Sequence, residues 1–234
     1  MRLDIALTNK KYVNSREKAK YLIKEGYVEV DGLIVTKPSK NVSENSKIIL
    51  LKDFEFVGRG GYKIGAAVKH FRISFKNKIV ADVGCSTGGF TDYALKHGAK
   101  RVYAIDIGDP LYKTLRENER VIYLPKSDVR NIKSLGEKVD ICLIDVTFFP
   151  LKEILLVVKK WLKDHGEVLG LIKPPFELEE KPKKIYDYGK CFEIAKKVSN
   201  WASENGYKVI GLIDSKLKGK FSKQQEFFIY LINE

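Results

Sequence analysis

The chain is poor in the residues that hold metals or staple small folds. Its three cysteines (Cys85, Cys142, Cys191) are odd in number, far apart and set in mainly apolar surroundings; its three histidines (His70, His97, His165) are equally scattered. Neither set has disulfide or metal-ligand spacing, so all six are expected to be packing or surface residues, with no metal site. No apolar run approaches the roughly 18 residues needed to cross a bilayer. The start, Met1-Arg2-Leu3-Asp4, carries an acid and opens no long apolar segment, which does not fit a secretory signal. The expectation is a cytoplasmic protein with no membrane partner. Acidic residues are also scarce: 43 Lys and Arg stand against 30 Asp and Glu, a formal net charge of +13. Such an excess suggests a polyanionic partner, although a lysine-rich solvated surface would give the same count. Residues 1–58 hold 11 basic and 8 acidic side chains and the remainder is basic too, so charge alone assigns no binding domain. At 234 residues, 44% hydrophobic and 31% charged, the chain can bury a sizeable core in one large or two unequal domains.

Two further absences narrow the ligand. The stretch Asp82-Val83-Gly84-Cys85-Ser86-Thr87-Gly88-Gly89-Phe90 follows an apolar run and precedes a helical pattern, a strand-to-helix turn at which glycines admit a ligand to the backbone. It lacks the Lys-Ser/Thr of a phosphate-cradling loop, having Phe90-Thr91 instead, and Ser86 takes the second glycine position of a dinucleotide fingerprint. What remains is Asp-x-Gly-x-x-x-Gly-Gly, with Asp106 ending the next strand, where a carboxylate can accept hydrogen bonds from a ribose diol. A ligand without phosphate, such as S-adenosylmethionine, suits this turn. A Gly-rich turn that binds nothing is the plain alternative.

Residues 1–57 read as a small α+β unit. A short helix begins at Leu3, and a second, capped by Asn14 with Glu17 three positions on, ends at Gly26. Tyr27–Val30 and Leu33–Val35 flank Asp31-Gly32, a hairpin signal, and Lys47–Leu51 is a further strand. From residue 58 to 234 strand and helix signals alternate, as in a parallel sheet with helices on both faces. The expected strands are Ile79–Gly84, Arg101–Asp106, Val121–Leu124, Val139–Val146, Glu167–Lys173, Val209–Ile213 and Phe227–Leu231. The expected helices are Ile64–Phe71, Gly89–His97, Asp109–Asn118, Leu151–Lys163 and Tyr186–Asn205. The fold class is α/β, a Rossmann-like sheet whose seven strands and closing hairpin fit the methyltransferase variant. Ligands in such sheets sit at the carboxyl ends of the strands, where Asp82–Gly84, Asp106, Asp128, Asp145 and Lys173 all fall. Lys63, Asp145, Lys173 and Glu226 are singled out because charged groups at apolar strand tips are costly unless paired or used; two structural ion pairs are the alternative.

The first segment resembles the alpha-L RNA-binding domain of small-subunit ribosomal protein four, through Arg2-Leu3-Asp4, Ser15–Ala19, Leu22-Ile23, Gly26–Gly32 and Lys37-Pro38-Ser39. The whole chain resembles the TlyA (hemolysin A) family, which joins that domain to an FtsJ-like methyltransferase domain. The matching strings are Gly58–Lys63, Asp82–Asp92, Val102–Gly108, Asp145–Phe149 and Ile172–Glu177, with Gly58, Cys85 and Pro175 standing where serine, alanine and glutamine are usual. The resemblance implies S-adenosylmethionine-dependent methylation of a ribose 2′-hydroxyl in ribosomal RNA, on cytidine, with ribosomal RNA or subunits as the partner; the small size of the first domain suggests a monomer. It implies that Lys63, Asp145, Lys173 and Glu226 stand at the family's catalytic Lys–Asp–Lys–Glu positions. Asp82, Gly84, Ser86, Thr87, Gly88, Gly89, Phe90, Asp106, Asp128 and Asp145 would surround the cofactor. Arg2, Arg16, Lys18, Lys20 and Arg59 would meet RNA phosphates, which position an enzyme without specifying sequence. Whether Lys173 takes the hydroxyl proton as a base or only orients the oxygen stays open. Rival readings are a non-catalytic RNA-binding assembly factor, a small-molecule methyltransferase and a membrane-lytic hemolysin.

Overall fold

In the computed structural model the described residues are 1–13, 15–24, 26–50, 56–178, 186–215 and 224–234, without the side chain of Arg59. They form two units, Met1–Gly58 and Arg59–Glu234.

In the first unit, helices α1 (Leu3–Asn9) and α2 (Arg16–Lys24) precede a sheet of β1 (Val28–Val30), β2 (Leu33–Ile34) and β3 (Ile48–Leu50) in the order β2-β1-β3. Leu3, Ala6, Leu7, Ala19, Leu22, Ile23, Val28, Val30 and Ile48 share one small core. Ser15 Oγ accepts the Lys18 N–H at 3.2 Å at the start of α2; Asn14, the expected cap, lies outside the described residues. The hairpin between β1 and β2 turns through positive φ at both Asp31 and Gly32, as a two-residue primed turn requires.

The second unit is a seven-stranded sheet. It opens with α3 (Arg59–Phe71), β4 (Ile79–Val83), α4 (Gly89–Lys96), β5 (Arg101–Ile105), α5 (Lys113–Arg116) and β6 (Val121–Leu124). It continues with β7 (Val139–Ile144), α6 (Leu151–Val158), β8 (Leu162–Ile172), α7 (Tyr188–Glu204), β9 (Tyr207–Asp214) and β10 (Phe227–Asn233). The strand order is β6-β5-β4-β7-β8-β10-β9, with β4 to β8 parallel and β10 antiparallel to both neighbours. The central strands are apolar along their length because helices cover both faces. The two-residue period of β10 makes this visible: Phe227, Ile229 and Leu231 join the core shared with α6 and α7, whereas Phe228 and Tyr230 meet Phe90 of α4 and Phe71 of α3.

Three expected helices differ. The one placed after Lys63 starts four residues before it, at Arg59, so Lys63 lies inside α3. The expected Asp109–Asn118 shrinks to Lys113–Arg116. Pro110 disfavours helical backbone at Asp109, and Arg116 holds the loop by donating to the Leu111 and Asp109 carbonyls at 2.7 and 2.8 Å. The expected Leu151–Lys163 ends at Val158, because Trp161 and Leu162 turn into the core and β8 starts at Leu162 beside Val139.

Candidate active site

Asp145 follows the tip of β7, the strand hydrogen-bonded between β4 and β8. Its Oδ1 lies 2.6 Å from Nζ of Lys173, at the end of β8, and its Oδ2 lies 3.6 Å from Nζ of Lys63. Lys63 Nζ in turn lies 2.6 Å from Oε2 of Glu226, which precedes β10. The four side chains form one row, Glu226–Lys63–Asp145–Lys173, with alternating charge. Burial pushes the Asp145 carboxyl up, but the two ammonium groups outweigh it and hold it below the usual range. Glu226 has a single cation beside it, and there burial prevails and raises the carboxyl. Lys173 also donates to Thr147 Oγ1 at 3.0 Å, a partner that sequence reasoning did not name.

Lys63 reaches this row because α3 and α4 touch backbone to backbone. A Cβ on Gly89 would stand 2.9 Å from Gly60 Cα and 3.0 Å from the Gly61 nitrogen. The glycine pair after Arg59 and the last glycine of the Asp82–Phe90 turn are therefore two halves of one contact. Nothing in either local string announces it. Gly84, at φ +81°, is fixed differently: a Cβ there would lie 2.6 Å from the Asp145 carbonyl oxygen.

Beside the row lies a cleft of about 230 Å³ along the tips of β4 to β7. Its lining includes Gly84, Ser86, Asp106, Asp128 and Asp145, an apolar part that runs from Val83 and Ile105 to Phe148 and Phe149, and, among the described residues, no lysine or arginine. The Asp106 carboxylate accepts the Ser86 and Gly108 N–H groups at 2.9 and 2.7 Å, which ties the turn after β4 to the end of β5. Asp128 accepts from Arg130, whose guanidinium holds its carboxyl below the usual range and also stacks 3.8 Å from the Phe149 ring centre.

The other expected cofactor residues are not in the cleft wall. Asp82 is fully buried; its Oδ2 accepts the Thr91 hydroxyl at 2.6 Å, its Oδ1 has no hydrogen-bond partner among the described residues, and burial pushes its carboxyl up to about 7. Gly88 and Gly89 shape the start of α4. Phe90 is buried, packed on Gly60 and 6.4 Å from the ring of Phe228. Thr87 contributes its carbonyl, which accepts the Tyr112 N–H at 3.4 Å.

In the first unit Asp4 is fully buried and gathers two expected RNA-binding residues. Arg2 Nε and Arg16 Nη2 lie 2.9 and 3.0 Å from its two oxygens, while both guanidinium groups stay about half exposed. The Arg2 hydrogen bond is the main cause that lowers the Asp4 carboxyl to about 2. Lys18 Nζ donates to the Phe56 carbonyl at 2.8 Å, Lys20 is half-buried, and the side chain of Arg59 lies outside the described residues. Among the described residues no group of three or more His, Cys, Asp or Glu is placed to hold a metal ion, and no helix is long and apolar enough to cross a membrane.

The chain has recognisable relatives. The profile of the FtsJ-like methyltransferase family matches residues 56–232 and that of the S4 domain residues 1–48. Hemolysin A of Brachyspira hyodysenteriae is 37% identical over 76% of this chain and 76% of its own. The 16S/23S rRNA (cytidine-2′-O)-methyltransferase TlyA of Mycobacterium tuberculosis is 30% identical over 98% of this chain and 89% of its own. The solved structure of a protein assigned as a hemolysin from Streptococcus thermophilus superposes with a TM-score of 0.77 at 30% identity, covering 100% of this chain and 88% of that one. The chain is a member of the FtsJ-like methyltransferase family, with an S4 domain at its N-terminus.

Proposed function

We propose that the protein methylates the 2′-hydroxyl of a cytidine ribose in ribosomal RNA, with S-adenosylmethionine as the donor. The observation that carries this reading is the row Glu226–Lys63–Asp145–Lys173 beside a cleft that is lined with carboxylates and, among the described residues, has no basic side chain. That lining fits a cationic ligand with a diol and a flat apolar ring, and it disfavours a phosphate. Asp106 would hold the ribose diol through the lone pairs its two loop N–H groups leave free. Asp128 and the apolar wall would hold adenine, and Gly84 and Asp145 would border the methionine end. When bound, the cofactor supplies an electrophilic methyl on sulfur.

The chain's own residues then have to place one hydroxyl and manage one proton. Lys173 has three positions on its nitrogen, and Asp145 and Thr147 occupy two of them. The third faces no partner in the row. It offers the ribose oxygen an N–H when the amine is charged and a lone pair when it is neutral. Asp145 and Thr147 fix its direction, Lys63 offsets the charge of Asp145, and Glu226 pairs with Lys63 on its other side. Fixing the reacting atoms in this way lowers a barrier by up to about 7–11 kcal/mol. Beyond Lys173, Phe148 is 70% exposed, and its ring packs edge-on 5.6 Å from that of Phe176. In the first unit, Arg2 and Arg16, aligned by Asp4, would grip phosphates together with Lys18 and Lys20.

Lys173→Ala is expected to abolish tritium transfer from labelled S-adenosylmethionine to ribosomal subunits, while calorimetry shows cofactor affinity largely unchanged. Undiminished transfer by that variant would remove Lys173 from the reaction. Absence of transfer by the wild-type protein, with either subunit or with naked ribosomal RNA, would overturn the whole reading.

A further inference from the structure

The two segments that carry Asp145 and Lys173 are joined at more than their catalytic ends. The first runs from Asp145 to Pro150 between β7 and α6; the second runs from Lys173 through the turn Pro174–Phe176 to Glu177. Lys173 meets Asp145 and Thr147 at one end, at 2.6 and 3.0 Å. In the middle, Phe176 packs edge-on against Phe148. At the far end, Glu177 Oε1 accepts the N–H of Leu151, the first residue of α6, at 2.9 Å. Phe148 sits between these ties at φ +79°, a left-handed conformation that a bulky side chain holds only where its surroundings enforce it.

We propose that Glu177 is a positioning residue for the methyl-transfer reaction, holding the Lys173 segment against the Asp145 segment by pinning it to the start of α6. Three observations support this. The Leu151 N–H is one of the helix-terminal donors without an intrahelical partner, so Glu177 satisfies a group the helix leaves open. The Glu177 side chain reaches it across 26 positions of sequence, so the bond ties the two segments and is not a local turn. The other oxygen, Oε2, is buried with no hydrogen-bond partner among the described residues, an arrangement that surface capping does not need. Burial also raises this carboxyl to about 7, so what it offers Leu151 near neutral pH is an accepting oxygen as much as a charge. The position is four residues from Lys173. Slack there would pass along the short turn to the amine.

The test uses the full chain with ribosomal subunits and rests on the methyl-transfer reading above. Glu177→Asp keeps the charge but shortens the reach by about 1.5 Å, one carbon–carbon bond. Glu177→Gln keeps the length and an accepting oxygen. Glu177→Asp is expected to lower kcat by about 10–100-fold, the size of effect a displacement near 1 Å can have, with the Kd for S-adenosylmethionine and the KM for subunits within about threefold. Glu177→Gln should restore kcat to within about threefold of wild type. Equal kcat in Glu177→Asp and wild type overturns the proposal, and so does a Glu177→Gln variant as slow as Glu177→Asp. Should Glu177→Asp fail to fold, an unimpaired Glu177→Gln still supports the acceptor role and an impaired one still overturns it. Wild-type protein without activity would sink the methyl-transfer reading instead, so the two failures are told apart.

Discussion

Asp82 and Asp145 lie at the tips of adjacent strands, and their environments drive them in opposite directions. Asp145 has two ammonium groups within 4 Å and is held in its charged form. Asp82 has no cation beside it among the described residues and accepts the Thr91 hydroxyl, and burial raises it from 3.8 to about 7. The consequences for stability have opposite signs. A folded-state pKa above the unfolded one means the folded protein keeps a proton that the unfolded chain gives up. The contribution of Asp82 is therefore full below about pH 4 and is lost as pH rises through 7. Asp145, held low, contributes above the unfolded carboxylate range and loses that contribution on acidification. Asp82→Asn keeps an oxygen for Thr91 and removes the titration. Urea unfolding at pH 5, 6, 7 and 8 should show wild-type stability falling relative to this variant by an amount on the order of a few kcal/mol. Parallel profiles would mean that Asp82 does not titrate in that range. Glu177, also raised to about 7, leaves part of the slope in both proteins.

The element-scale feature on which the site depends is the crossing of α3 and α4. Gly89→Ala would put a Cβ 2.9 Å from Gly60 Cα, and backbone cannot yield as a flexible side chain does. Overpacking of this kind costs about 1–3 kcal/mol. Because the crossing sets where α3 carries Lys63, kcat should drop at least tenfold along with a fall of several degrees in Tm. A variant with lowered Tm but normal kcat would show that Lys63 does not depend on this contact. Most strands were legible because they are short apolar runs bounded by turn residues, although β8 starts at Leu162, through a polar stretch before the expected Glu167, and the row of four charged residues was legible because three of them end or precede such runs. The crossing was not. It joins residues 29 positions apart through atoms that carry no side chain, and a glycine in sequence does not say which backbone it lets in. The helix limits at Lys113 and Val158 were missed for a related reason, since Arg116 and Trp161 override local pattern with contacts made elsewhere.

At the scale of the whole molecule, the basic excess is shared by both units, and composition could not choose an RNA face. In the first unit a buried carboxylate holds two half-exposed guanidinium groups side by side. An arginine already fixed in direction loses less freedom on meeting a phosphate than a free lysine does. Asp4 neutralises only one of the two charges, so the pair keeps a net positive charge that draws a polyanion. Binding to phosphates releases counterions, and each contact contributes about 0.7–0.9 to the slope of log K against log salt. Replacing Arg2 and Arg16 together by Gln should flatten that slope by about 1.5 for ribosomal RNA while leaving calorimetric cofactor binding unchanged, because the cleft is built entirely from residues of the second unit. The measurement is a filter-binding series from 50 to 300 mM salt, a range chosen to span physiological ionic strength of about 0.15 M. Asp4→Asn belongs beside it: with both arginines present but their anchor uncharged, the slope should stay near wild type while affinity falls. A double variant with an unchanged slope would move the phosphate contacts away from α1 and α2, to the basic surface of the second unit.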